Sequence, residues 1–271
     1  MKAAVKFGVV YENGEAIAVD KASGVSVCPD RWDESRERLD RLVLERLAEG
    51  AEAPSPKIFT VHRIDRDTSG LVLFAKSEAC HRRLSLAFEG RGVAKLYIAV
   101  VNGRPAWKET DCDLPLVPDG NKRHMTIVDK FRGKKSLTRF RLIGSAGGYS
   151  VLEARPETGR THQIRVHAAA LGFPVACDSL YGRDKAVLLS AIKKNWRGDP
   201  HEERPLLARL GLHALELALP AALVSADETQ NENGETLVLR APLPRDMGAL
   251  IKQMEKAGGF PGTVAFRESP P

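Results

Sequence analysis

Two short apolar runs, Ile58-Phe59-Thr60-Val61 and Leu71-Val72-Leu73-Phe74-Ala75, flank a charged segment, His62-Arg63-Ile64-Asp65-Arg66-Asp67-Thr68-Ser69-Gly70. Runs of this length and composition, bounded by turn-forming residues, read as buried strands. The segment between them is therefore held on rigid elements. It places the Asp65 carboxylate between two arginines, Arg63 and Arg66, at the mouth of a tight Thr-Ser-Gly turn. A carboxylate surrounded by positive charge stays ionised and suits a substrate that brings its own negative charge, such as a phosphate polymer. As residues alone, Asp65 also admits an Asx turn or an ion pair with Arg63 or Arg66. Asp67 is the better candidate for that structural role.

The charge balance points the same way. With 41 basic and 35 acidic residues in 271, the chain carries +6 and a pI near 9.2, which favours an anionic partner. The densest basic stretch runs from Lys130 to Arg141, with Lys134 and Lys135 near its centre; Arg82-Arg83 and Lys193-Lys194 with Arg197 are smaller. Each is either a solvated face or a set of phosphate contacts. Hydrophobic residues make up 43%, enough for a packed core in one large domain or two small ones. The cysteines (Cys28, Cys80, Cys112, Cys177) are scattered, with neither a Cys-x-x-Cys pair nor zinc-ligand spacing. They fit a reducing compartment. No signal-peptide pattern and no apolar run of membrane-spanning length is visible, so a cytoplasmic protein without membrane contact is expected.

Along the chain, Glu15–Asp20 reads as a strand and Ser35–Glu49 as an amphipathic helix with Leu39, Leu42, Val43 and Leu47 on one face and Gly50 as its stop. Residues 51–57 form a loop, Glu78–Phe88 a helix and Val93–Val101 a strand. Asp111–Val117, Met125–Val128, Ser136–Ile143 and Tyr149–Ala154 are extended. Thr161 is placed to cap a helix from His162 to Leu171, with Gly172 ending it. Arg183–Arg209 reads as a basic, helix-like surface insertion broken at Gly198-Asp199-Pro200. Leu212–Leu219 and Thr236–Arg240 are late strands, and Met247–Lys256 a closing helix. Strands and helices mixed with hairpin-like turns indicate α+β architecture: a mixed, largely antiparallel central sheet flanked by helices and loops.

The segment from His62 to Gly70, followed by Ala75-Lys76, resembles the signature of the RluA-type RNA pseudouridine synthases, His-Arg-Leu-Asp, two variable residues, then Thr-Ser-Gly. Ile64 in place of Leu conserves volume. Gly159-Arg160-Thr161-His162-Gln163-Ile164-Arg165-Val166-His167 is similar to the family's second signature and continues through Leu171-Gly172-Phe173-Pro174 to Asp178-Ser179-Leu180-Tyr181-Gly182. Lys95 to Gly103 matches the strand carrying the family's tyrosine. Asp20-Lys21-Ala22-Ser23-Gly24, with Ala22 where the family has Pro, and Leu212-His213-Ala214 are weaker matches. The segments follow the family's order from about Val9 to Leu243-Pro244.

The resemblance implies the pseudouridine synthase catalytic fold over 1–257; the Gly- and Pro-rich 258–271 is expected to be a flexible tail. The stretch Met1–Gly8 leaves no room for the small RNA-binding domain the family often carries first. The resemblance also implies isomerisation of uridine in ribosomal or transfer RNA without a cofactor; with no pairing motif visible, a monomer is expected. Asp65 is then the nucleophile, through a covalent sugar adduct or a glycal route. Arg165 orients it with its guanidinium fork, and Tyr97 lies on the uracil. Arg63, Arg66, Arg160, Lys134 and Lys135 are the RNA-contacting candidates, with Arg63 either clamping phosphate or filling the gap left by a flipped base.

His62, His162 and His167 are expected to be hydrogen-bonded structural residues, not metal ligands, because residues five apart on a helix point about 140° away from each other. No glycine-rich phosphate loop or dinucleotide fingerprint is present. The rival from another class is a non-catalytic RNA-binding or ribosome-assembly protein of the same fold. A hydrolase using Asp65 and His62 is a third reading.

Overall fold

The computed structural model describes residues 6–29, 37–49, 56–123, 125–225 and 234–260. The expected helix start at Ser35, its stop at Gly50, residues 51–55 of the following loop and residues 261–271 of the expected tail lie outside them. The chain forms two compact units: Met1–Lys95 with Ala214–Ala241, and Leu96–His213 with Pro242–Pro271.

The first unit opens with an antiparallel hairpin, β1 (Phe7–Glu12) and β2 (Ala16–Lys21). Its turn is set by Asn13, whose Oδ1 accepts the N–H groups of Glu15 and Ala16 at 2.9 and 2.8 Å. Helix α1 (Leu39–Ala48) buries Leu39 and Val43, the face its periodicity predicts. Two-residue β3 (Phe59–Thr60) leads through a loop to β4 (Ser69–Ala75), every residue of which is buried. Leu71, Leu73 and Phe74 are fully buried there, and such a side chain contributes about 1.5–3 kcal/mol. Helix α2 (Glu78–Glu89) is capped by Ser77, whose Oγ accepts the Cys80 N–H, and it turns Cys80 and Leu84 inward.

The second unit is built on β5 (Ala94–Asn102), which begins at the end of the first, then β6 (Glu109–Cys112), the hairpin β7 (Leu116–Val117) and β8 (Ile127–Val128), and the long pair β9 (Thr138–Ala146) and β10 (Tyr149–Pro156). Its sheet order is β5-β10-β9-β6, all antiparallel. Helix α3 (Gln163–Ala170) contributes Ile164 and Ala168 to a core with Ala99, Val101, Leu152 and Ala154. The chain re-enters the first unit within β11 (Leu212–Pro220), which lies beside β4 and pairs antiparallel with β12 (Thr236–Arg240). Helix α4 (Arg245–Lys256) returns to the second unit and buries Met247, Leu250, Ile251 and Met254. The pairs β1/β2, β2/β4, β3/β4, β5/β10, β9/β10, β6/β9, β7/β8 and β11/β12 are antiparallel, and an isolated parallel bridge joins Ser26 and Arg38. The α+β expectation holds.

Three local expectations are corrected. Ser69 and Gly70 are not a turn but the first residues of β4; the turn lies at Arg66-Asp67, closed by Thr68 N–H to Asp65 O at 3.1 Å. Thr161 does not cap α3: His162 holds the N-cap at φ 53 without a side-chain cap bond. Instead Gln163, inside the helix, accepts the Arg160 N–H on its side-chain Oε1 at 3.0 Å. Residues 183–209 form no helix. Val187 bridges Leu207, and Val187, Ile192 and Leu207 are at most 3% exposed, so apolar anchors hold the segment as a packed loop.

Candidate active site

Within the first unit, the loop bearing Asp65 is fastened at several points. His62 Nε2 accepts the Leu73 N–H at 2.9 Å, and the imidazole stacks on Phe88 with centroids 4.6 Å apart. Burial, aided by the charge of Lys95, pushes His62 down to about 3. A ring so held is a hydrogen-bonded structural group, as expected, and it is too weak a base for the hydrolase reading. Ile64, 5% exposed, plugs the loop into the core and leaves Asp65 half-buried at the next position.

The turn after Asp65 is held from β2. Lys21 is fully buried, and its Nζ donates to the carbonyls of Ala22, Val25 and Arg66 at 2.9, 2.8 and 2.8 Å. The Gly24 N–H also reaches Arg66 O at 2.9 Å, and Ser23 Oγ donates to Asp67 O at 2.7 Å. The Asp20–Gly24 segment thus serves as a clamp on the Asp65 loop, a role invisible in its sequence. Arg66 forks onto Asp67 through Nε and Nη2 at 2.9 and 3.1 Å, which gives Asp67 the structural role expected of it. Gly70 has φ 112, and a Cβ there would collide with the Ala214 carbonyl and amide. Only glycine lets β4 begin so close to β11.

Within the second unit, the start of α3 is organised by Gln163. Its Oε1 accepts from Thr158 Oγ1 and Arg160 N, and its Nε2 donates to Leu137 O and Thr138 Oγ1. Two residues on, Arg165 is 4% exposed and donates from Nε and Nη2 to the two oxygens of Asp178, both at 2.8 Å. The guanidinium fork is therefore engaged by Asp178. Asp178 Oδ1 also accepts the N–H groups of Leu180 and Tyr181 at 3.0 and 3.1 Å. Burial raises the Asp178 carboxyl, but the Arg165 bonds and charge and those two amides outweigh it and hold the group below the usual carboxylate range.

The Tyr181 ring lies 5.2 Å from the Arg165 guanidinium carbon. Its hydroxyl accepts the Thr126 N–H at 2.9 Å and bonds His162 Nδ1 at 2.8 Å. Asp178 and Tyr181 are functional candidates that the residue-level reading passed over. Tyr97 lies on the Ala99 and Val101 face of β5, half-buried against the cluster that includes Ile164 and Ala168. His167 bonds Thr138 Oγ1 and Leu114 O, both at 2.9 Å, and is structural.

Of the RNA-contacting candidates, Arg63 and Arg66 are exposed in the first unit. In the second, Lys134 and Lys135 are exposed, and Arg160 donates from Nε to Lys135 O at 3.3 Å. Arg132, Arg139 and Arg141 of the basic stretch are drawn to Asp129, Glu157 and Glu153. The lysines are the cations of that stretch without an ion pair among the described residues. Among those residues, no group of three or more His, Cys, Asp or Glu is arranged to hold a metal, and no helix is long and apolar enough to cross a membrane.

The chain matches the RNA pseudouridylate synthase family over residues 15–170, more than half its length. It is 30% identical over 253 residues to ribosomal large subunit pseudouridine synthase D of Zymomonas mobilis, covering 91% of this chain and 72% of that protein. An uncharacterized RNA pseudouridine synthase of the same organism is 38% identical over 179 residues, covering 65% of this chain and 79% of the relative. Among solved structures, human RNA pseudouridylate synthase domain containing 4 shares the fold, with a TM-score of 0.67 at 20% identity over 92% of this chain and 93% of that one. The match in sequence, carried along most of both chains, makes this chain a member of the RNA pseudouridylate synthase family, an isomerase.

Proposed function

We propose that the protein isomerises uridine to pseudouridine in ribosomal RNA with Asp65 as nucleophile and no cofactor. The observation that carries this reading is the fastening of the Asp65 loop: a buried lysine, a backbone amide and a seryl hydroxyl grip the turn that follows the carboxylate. Several kcal/mol of a barrier can come from such fixed geometry.

Asp65 attacks the anomeric carbon as the bond to uracil N1 breaks. The freed base turns, C5 bonds to the same carbon and displaces the carboxylate, the C5 proton leaves to water, and N1 takes up a proton from water. In the glycal alternative, Asp65 instead takes the proton from the neighbouring sugar carbon and returns it as C5 bonds to the anomeric carbon. Either route is redox-neutral. Tyr97 covers the uracil face. Arg165, pre-set by Asp178 and Tyr181, supplies positive charge to the nucleophile, and Arg63, Arg66, Arg160, Lys134 and Lys135 meet phosphates. The scattered free cysteines support a cytoplasmic setting, and a monomer suffices for this chemistry. The name of the Zymomonas relative favours large-subunit ribosomal RNA over transfer RNA.

Pseudouridine-selective carbodiimide labelling of RNA from cells with and without the gene tests the substrate class. Loss of one or a few labelled positions in ribosomal RNA is expected. Identical maps in ribosomal RNA, with loss confined to transfer RNA, overturn the substrate assignment; identical maps in both favour a non-catalytic binder.

A further inference from the structure

Phe131 is 99% exposed, whereas the other large exposed hydrophobic side chains among the described residues range from 37% to 60%. It sits at the apex of a turn that gives it nowhere to fold back. Gly133 N–H closes on Asp129 O at 2.9 Å, and Asp129 Oδ1 accepts the N–H groups of Phe131 and Arg132, each at 2.9 Å. Arg132 Nε adds a bond to Asp129 Oδ2 at 2.8 Å. A Cβ on Gly133 would collide with Asp129 O and Pro115, so the turn is closed as tightly as the backbone permits. Its base is tied down by Asp129 N–H to Pro115 O and by the reciprocal backbone bonds of Lys134 and Leu116.

The surroundings select the partner. Lys130, Arg132, Lys134 and Lys135, all within four residues of Phe131 along the chain, are exposed, and the acid of this segment, Asp129, is occupied by two amides and Arg132. A rigidly presented aromatic face on a segment rich in exposed cations matches a nucleobase flanked by phosphates, the combination that single-stranded nucleic-acid sites use. A paired base inside a helix offers no free face, so the base must be unstacked. We propose that Phe131 is a stacking platform for an unpaired base of the RNA substrate, with the neighbouring lysines on its phosphates; this rests on the RNA-modifying function above.

The test uses the full chain, unmodified and as Phe131→Ala, Phe131→Leu and Phe131→Trp. The probe is ribosomal RNA from cells lacking the protein, tritiated at uridine C5, and both filter binding across a salt series and tritium release are measured. A residue this exposed should leave the melting temperature unchanged. Phe131→Ala and Phe131→Leu should each weaken binding about tenfold. The slope of binding against salt should stay constant, because no phosphate contact is lost. Phe131→Trp should bind like the unmodified chain, with indole fluorescence quenched by RNA. If the unmodified chain is active and Phe131→Ala binds as well as it does, the platform is refuted and the function stands. If Phe131→Leu matches the unmodified chain while Phe131→Ala does not, the ring fills an apolar pocket and the stack is refuted. An unmodified chain that neither binds nor releases tritium overturns the functional reading and this proposal together.

Discussion

Arg165 and Asp178 form a two-point ion pair with both side chains buried, at 4% and 0% exposure, and with both bonds at 2.8 Å. The arginine reaches its position from a helix and the aspartate from a loop, and Tyr181, three residues beyond Asp178, supplies the ring beside the guanidinium. Removing one partner strands a buried charge. Asp178→Asn should therefore lower stability by about 3–5 kcal/mol, read from urea unfolding. Because the Asp178 carboxyl is held below its ordinary value, its contribution is present above the usual carboxylate pKa, about 3.9, and is lost as pH falls below it. Asp178→Asn should accordingly show a shallower loss of stability as pH falls below about 4.

Lys21 grips the backbone of the turn that follows Asp65. Lys21→Met keeps the stem and removes the ammonium, leaving the carbonyls of Ala22, Val25 and Arg66 without that donor. A loss of about 3 kcal/mol in unfolding free energy is expected. If the lysine positions the Asp65 loop, turnover should fall while RNA affinity stays within about twofold. A variant that is destabilised but turns over normally would make Lys21 a purely structural residue.

His62 is neutral in the fold, with its pKa driven from 6.5 to about 3 by burial. The unfolded chain binds a proton there between those values and the folded one does not. Stability from this group is therefore complete above about pH 6.5 and declines as pH falls toward 3, by at most about 1.4 kcal/mol per pH unit. Imidazole resonances followed by NMR should show His62 still neutral at pH 5. A midpoint near 6.5 would mean that the stack on Phe88 does not shield the ring.

Much of this was legible because strands with one continuous burial pattern announce themselves. The Leu71–Ala75 run, the Val93–Val101 strand and the α1 face all appear where their patterns place them. What escaped notice depends on partners distant in sequence. Lys21 reads as the polar end of a strand until the carbonyl of Arg66 is brought to it. Asp178 lies 13 residues from Arg165 with no periodic link between them. The 183–209 segment is rich in charged residues that favour helices, yet Val187, Ile192 and Leu207 are buried in an order no helical face could provide. Thr161 was an apt N-cap by residue type, but the glutamine two positions on satisfies the local amide instead.

The most direct test of the account is tritium release from ribosomal RNA labelled at uridine C5, comparing the unmodified chain with Asp65→Asn. The substitution removes the nucleophile's charge and keeps its shape. The account predicts release by the unmodified chain, a loss of at least about a thousandfold in Asp65→Asn, and equal RNA binding by both. Release by Asp65→Asn at a comparable rate would contradict it.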